Sequence, residues 1–97
     1  MKEFLVELTT RVPEGTDQVE VDRRRAAEAV RAKELAAEGH LFRLWSPVGE
    51  DRVIGVWRAD DEAELREKVL GSLPPWPWAT AVITALQPHP NDPDLTG

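Results

Sequence analysis

One glutamate has the surroundings that a general base for carbon acids needs. Three apolar residues of the same predicted helix lie within roughly 40° of Glu28 at 100° per residue: Val21, Ala32 and Leu35. Burial there raises the pKa of a carboxyl group and nearby cations lower it. A carboxylate that is partly dry yet ionised suits proton removal from carbon, so we predict that Glu28 is catalytic. The alternative is an ordinary surface ion pair with Arg24 at i, i+4.

Arginines surround this glutamate. Arg24 and Arg25 precede Glu28 by one turn, and Arg31 follows it by one turn. Guanidinium groups at these positions keep a carboxylate ionised and stabilise negative charge that develops on a substrate. We predict that Arg24 contacts the substrate.

A second arginine interrupts an apolar strand. Simple alternation over residues 40–46 places Leu41, Arg43 and Trp45 on one face. Arg43 would then pair with a carboxylate or bind an anion. Alternatively, its stem packs on Trp45 and its charge reaches water. We predict that Arg43 is a second catalytic residue, which anchors a carboxylate or stabilises an enolate, and that Trp45 is a wall of the site.

The proline-rich segment Pro74-Pro75-Trp76-Pro77-Trp78 is a rigid aromatic wall. It cannot be a central strand, because prolines lack the N–H that a sheet requires. Such a wall either shapes a pocket for a small ring or lactone, or forms a subunit contact. We predict the contact for Trp76 and substrate binding for Trp78.

Four strands and two helices are predicted to position these residues. We predict strands at 2–10, 40–46, 52–59 and 78–86. A helix runs from Thr16 or Asp17 to Glu38, with a capping box between Asp17 and Glu20 and with Gly39 after its end. A second helix begins at Asp60 or Asp61 and ends near Gly71.

The order β-α-β-β-α-β indicates an α+β, ferredoxin-like fold, with a four-stranded antiparallel sheet and two helices on one face. The other face would be bare and apolar, so we expect the chain to dimerise through the sheet. The 97 residues allow a single domain, 1–97, with 88–97 as a C-terminal tail.

Composition excludes several classes of function. There is no cysteine, and His40 and His89 are the only histidines, so we expect no metal site. A net charge of −6 argues against nucleic acid or an anionic membrane as a partner. No stretch is apolar enough for a signal peptide or a membrane span, so we expect a cytoplasmic protein. No Ser-His-Asp set or phosphate-binding loop is present, which argues against nucleophilic hydrolysis and nucleotide chemistry.

The chain resembles the muconolactone delta-isomerase family over nearly its whole length. The resemblance is carried by the order and spacing of short segments: Phe4-Leu5-Val6, Glu28, Leu35 to Glu38-Gly39, Arg43-Leu44-Trp45, Leu73-Pro74, Pro77 and His89-Pro90. The chain departs from the family in the first helix, where Ala27-Glu28-Ala29 stands in place of a Glu-Glu-Lys run.

This resemblance implies a ferredoxin-like protomer that pairs sheet to sheet, and a decamer as the larger assembly. It implies a cofactor-free isomerase that moves a ring double bond of a small unsaturated lactone, by taking a proton from one carbon and returning it to another. It also implies that His89 belongs to the substrate-binding site.

The residues and the resemblance together are compatible with three functions. The first is an isomerase of a muconolactone-like lactone. The second is a non-catalytic small-molecule-binding or accessory protein of the dimeric α+β barrel group. The third is a related cofactor-free enzyme that acts on a larger aromatic or polyketide-like substrate. The fold alone does not distinguish them.

Overall fold

The computed structural model describes residues 1–95. It contains four strands and one long helix: β1 (Lys2–Thr10), α1 (Gln18–Ala37), β2 (Leu41–Trp45), β3 (Val53–Ala59) and β4 (Ala79–Leu86). A second helical segment, 62–72, begins as the short α-helix α2 (Glu62–Glu64) and continues through π-helical and 3-10 turns. Further 3-10 turns lie at Trp76–Trp78 and Pro93–Leu95. Of the predicted tail 88–97, residues 96 and 97 lie outside the described residues.

The strands form one antiparallel sheet in the order β2-β3-β1-β4. The two central strands alternate between buried and less buried side chains. Phe4 and Val6 of β1 are buried and lie opposite Trp57 and Gly55 of β3. These residues share the face that the helices cover, because successive side chains of a strand point to opposite faces. The predicted ferredoxin-like fold is confirmed.

The core lies between this face and the helices. It joins Phe4, Val6 and Trp57 of the sheet to Leu35 of α1. The second helical segment adds four side chains that are almost completely buried: Leu65, Val69, Leu70 and, just after it, Leu73. In α1 only Val21 and Leu35 are fully buried, two turns on either side of Glu28. The apolar strip predicted around Glu28 therefore packs against the sheet.

The two ends of α1 differ from each other in how well the sequence predicted them. Gly39 has φ +87°, and the N–H groups of Gly39 and His40 donate to the carbonyls of Ala36 and Leu35, as expected for a glycine after a helix end. At the other end, the predicted capping box is wrong. The Asp17 side chain caps no N–H group, and the Glu20 carboxylate binds arginines of the next turn instead.

The alternation predicted for β2 is wrong at Leu41, because the strand contains a bulge. Leu41 lies opposite Trp57, but Arg43 lies opposite Val56, so one extra residue lies between them. Leu41 therefore points toward the helices, whereas Arg43 and Trp45 point to the other side of the sheet.

The outer face of the sheet, which the helices do not cover, is apolar in its middle. It carries Leu5, Ile54, Val56 and Val82, with Trp45 at one edge. Ion pairs lie beside these apolar side chains, from Arg52 to Glu7 at 2.7 Å and from Arg58 to Glu3 at 2.9 Å. The composition of this face is the one predicted from the sequence.

Candidate functional site

A cavity of about 320 Å³ lies between α1 and the helix-covered face of the sheet. This volume is at the lower end of the range of small-molecule sites, roughly 300–1,000 Å³. Most of its walls are apolar: Leu8, Ala29, Ala32, Leu44, Val53 and Leu73. Alanines at 29 and 32 leave this space open, because a longer side chain at either position would fill it. The polar groups that line it come from Thr10, Arg25, Glu28 and Trp57.

Glu28 is the only carboxylate among the residues that line this cavity. Its side chain is partly buried, and within residues 1–95 it forms no hydrogen bond or ion pair. Burial raises the pKa of the Glu28 carboxyl above its ordinary value, and the charge of Arg25 opposes this to a smaller extent. The surface ion pair with Arg24 that the sequence allowed is absent, because Arg24 binds Glu20. Glu28 therefore has a carboxylate that is available to a ligand.

A smaller cavity of about 160 Å³ adjoins the first and shares Thr10, Arg25 and Glu28 with it. Pro75 and Trp78 form its other side. The Arg25 side chain forms no hydrogen bond or ion pair within residues 1–95, although Arg25 lines both cavities. Arg25 lies one turn from Glu28 in the sequence, but no role was predicted for it. Around the helix axis, Arg25 lies about 60° to one side of Glu28 and Arg24 lies about 40° to the other side. The angles alone therefore do not show which arginine lines the cavity, and packing decides it.

Arg24 holds the proline-rich segment against α1 and lines neither cavity. Its guanidinium donates to Glu20 at 2.7 Å and to the carbonyl of Pro74 at 3.0 Å. The same group lies 4.5 Å from the centre of the Trp78 ring, within the range of a cation–π contact. Arg24 thus positions Trp78, which lines the smaller cavity, while Trp76 packs against the core.

Arg43 and Trp45 lie on the outer face of the sheet, opposite the side that holds Glu28. The Arg43 guanidinium lies 4.9 Å from the centre of the Trp45 ring. A single chain therefore does not bring Arg43 and Trp45 to the cavity of Glu28, because the sheet separates them from it.

His89 follows β4 at the far end of the sheet. Leu86 pairs with Glu3, whereas Leu8, which lines the cavity, pairs with Ala81. These two positions of β1 are about 17 Å apart at about 3.4 Å per residue. His89 is exposed, and its Nδ1 accepts a hydrogen bond from the N–H of Asn91 at 3.0 Å. Within one chain it does not reach Glu28.

Among residues 1–95, no three histidine, aspartate or glutamate side chains come together closely enough to hold a metal ion. In the same part of the chain, no helix combines the length and the hydropathy that crossing a membrane requires.

Comparison with known proteins identifies the family. The sequence pattern of the muconolactone delta-isomerase family matches residues 2–92. The crystal structure of a muconolactone isomerase is similar to this chain with a TM-score of 0.83 at 24% identity, over 94% of each chain. Two structures from Agrobacterium tumefaciens, one of them a NIPSNAP family protein, are less similar. Both have TM-scores of 0.48, at 15% and 18% identity, over 94% of this chain and 97% of theirs. No curated protein matches the chain. The match to the family pattern spans nearly all of the sequence, and the chain belongs to the muconolactone delta-isomerase family.

Proposed function

We propose that this chain is a cofactor-free isomerase that moves a double bond within a small unsaturated lactone, with Glu28 as the base. The observation that carries the proposal is the Glu28 carboxylate, which is partly buried in an apolar cavity of ligand size and has no partner within residues 1–95. Membership of the muconolactone delta-isomerase family supports the substrate class.

The reaction requires one base that acts twice. The Glu28 carboxylate accepts a proton from a ring carbon next to the conjugated system. The electrons of that C–H bond shift the double bond, and the negative charge moves to the lactone carbonyl oxygen as a dienolate. The neutral Glu28 carboxyl then returns a proton to a different carbon. Substrate and product have the same atoms and the same oxidation state, so the step needs no further reactant.

We assign the binding of the substrate's carboxylate to Arg25. The sequence pattern predicted Arg43 for this role. Arg25 lines both cavities, and within residues 1–95 its side chain has no carboxylate partner. A free guanidinium beside an apolar pocket binds a carboxylate well, because it offers several donors in one plane. For Arg43, Trp45 or His89 to contact the same substrate, these residues would have to come from a partner subunit.

The rate should depend on pH through Glu28. The base acts when ionised, so kcat/KM should rise with pH through the pKa of Glu28 and then level off. Because burial raises this pKa, the rise should occur above the pH at which an ordinary glutamate titrates. Arg25→Met removes the charge that lowers the pKa, so the rise should move to higher pH. A pH–rate profile of both proteins tests this, and an unmoved profile in the variant would contradict it.

The outer face of the sheet should bind a second copy of the chain. Leu5, Ile54 and Val56 lie there without a covering helix, and an apolar sheet face of this kind is rarely left in water. Light scattering at micromolar concentration should give at least twice the 10.9 kDa of one chain. Val56→Glu should lower that mass, whereas Val19→Glu on the exposed surface of α1 should not. A wild-type mass of one chain would refute the prediction.

The proposal is tested by mixing the purified chain with muconolactone and following the double bond by proton NMR. We expect an isomer of unchanged mass to form at a rate proportional to protein concentration, equally fast after treatment with a chelator. Tryptophan fluorescence measures binding in the same samples. Binding without conversion would favour the small-molecule-binding alternative, and activity lost with the chelator and restored by a metal would refute a cofactor-free mechanism.

A further inference from the structure

The indole N–H of Trp57 is a buried hydrogen-bond donor without a partner. Trp57 is 2% exposed, and its Nε1 atom is the one buried side-chain nitrogen or oxygen among the described residues that lacks a hydrogen bond. Buried polar groups nearly always have a partner, so such an exception needs an explanation. Trp57 lines the same cavity as Glu28, so one cavity holds a donor and a base that both lack a partner among residues 1–95.

The backbone under the ring shows where the indole nitrogen lies. A Cβ atom placed on Gly55 would lie 2.7 Å from Nε1 of Trp57 and 2.6 Å from Cδ2 of Leu44. The pyrrole end of the ring therefore lies over Gly55, next to Leu44, which also lines the cavity. Leu44 is 43% exposed, and its flexible end would have to move aside for a ligand to reach the buried indole N–H.

We propose that the indole N–H of Trp57 donates a hydrogen bond to the carbonyl oxygen of the bound lactone and stabilises the dienolate that forms when Glu28 removes a proton. This inference rests on the function proposed above and adds the residue that receives the developing charge. The hydrogen bond strengthens as charge moves to the carbonyl oxygen, so it stabilises the transition state more than the substrate. Indole is a donor only, so it does not compete with Glu28 for the substrate's proton.

The rate of the Trp57→Phe variant tests this role. Phenylalanine keeps an aromatic ring in the core and removes the N–H. We expect kcat to fall by about 10-fold or more, because a donor aimed at a developing oxyanion acts mainly on the chemical step. KM should change by less than about threefold. Trp76→Phe is the matched control, because Trp76 packs on the core and lines neither cavity, and its kcat should be that of the wild type.

A second measurement needs neither turnover nor a stable Trp57 variant. In the Glu28→Gln protein labelled with ¹⁵N at its tryptophans, muconolactone should shift the Trp57 indole N–H proton downfield and leave that of Trp76 in place. If the wild type converts muconolactone and Trp57→Phe has the same kcat, the role of Trp57 is overturned and the proposed function stands. Binding that leaves the Trp57 signal unmoved would also overturn it.

The same two measurements separate this inference from the proposed function. If bound muconolactone shifts the Trp57 signal but the wild type converts none of it, the isomerase proposal fails and the hydrogen bond to the ligand stands. If the wild type neither binds nor converts muconolactone, both fail.

Discussion

Replacing Glu28 by glutamine is expected to slow the isomerisation of muconolactone by about 100-fold or more, the usual contribution of a positioned base. Glutamine keeps the shape and the polarity of the side chain but accepts no proton from carbon. KM should change little, because Glu28 takes up the proton and we assign the substrate's carboxylate to Arg25. Steady-state kinetics of the two proteins measures the effect.

The melting temperature separates this role from a structural one. Because burial raises the pKa of Glu28, the folded chain holds this proton more tightly than the unfolded chain does. The protonated Glu28 carboxyl therefore contributes stability at a pH below its pKa in the unfolded chain. This contribution is lost as the pH rises through the pKa of Glu28 in the folded chain. At pH 7, Glu28→Gln should therefore melt at the wild-type temperature or above it, with no difference at low pH.

Glu34→Gln is the matched control on the same helix. Glu34 is exposed and pairs with Arg31 at 3.3 Å, away from both cavities. It should keep wild-type turnover and stability. A Glu28→Gln protein with normal turnover and a much lower melting temperature would show that Glu28 supports the fold and not the reaction.

Gly55→Ala should damage both stability and activity. The added methyl group would lie 2.7 Å from the rigid, buried Trp57 ring and 3.0 Å from the backbone oxygen of Arg43. Overpacking of this kind costs about 1–3 kcal/mol, and the better strand propensity of alanine offsets at most about 1 kcal/mol. We expect the melting temperature to fall by about 5–15 °C, since 1 kcal/mol corresponds to about 4–8 °C in a domain of this size. We also expect kcat to fall at least as far as in Trp57→Phe, because the ring must move.

Gly49→Ala is the control for this substitution. Gly49 lies in the turn between β2 and β3 with φ +77°, and no atom would meet its methyl group. It should lose some stability through backbone strain and keep its kcat. A Gly55→Ala protein with both the stability and the turnover of the wild type would contradict the described packing of Trp57 over Gly55.

The sequence predicted the fold because its strongest patterns are local. The alternation around Phe4 and Val6 and the helical spacing of Val21 and Leu35 each define a buried face without knowledge of the rest of the chain. The capping box failed for a reason that is also local. Two arginines compete for Glu20, and an ion pair with either removes it from the helix end.

The site was predicted only as far as it depends on one helix. The position of Glu28 follows from the period of α1, but the position of Arg43 depends on a bulge that no residue type announces. Trp57 was missed because its importance comes from a missing partner, which a sequence does not show. One sequence signal does exist, namely a glycine two residues before a tryptophan in a strand, which leaves room on the same face for the large ring.

The most direct test of Glu28 as the base is the exchange of carbon-bound hydrogen with heavy water during turnover of muconolactone. Because Glu28 is only partly buried, the proton that it takes from carbon should exchange with solvent before one is returned. The wild type should therefore form product that carries deuterium at the carbon that gains hydrogen, and Glu28→Gln should do so at least about 100-fold more slowly. Deuterium entering the product at the wild-type rate in the Glu28→Gln protein would contradict it.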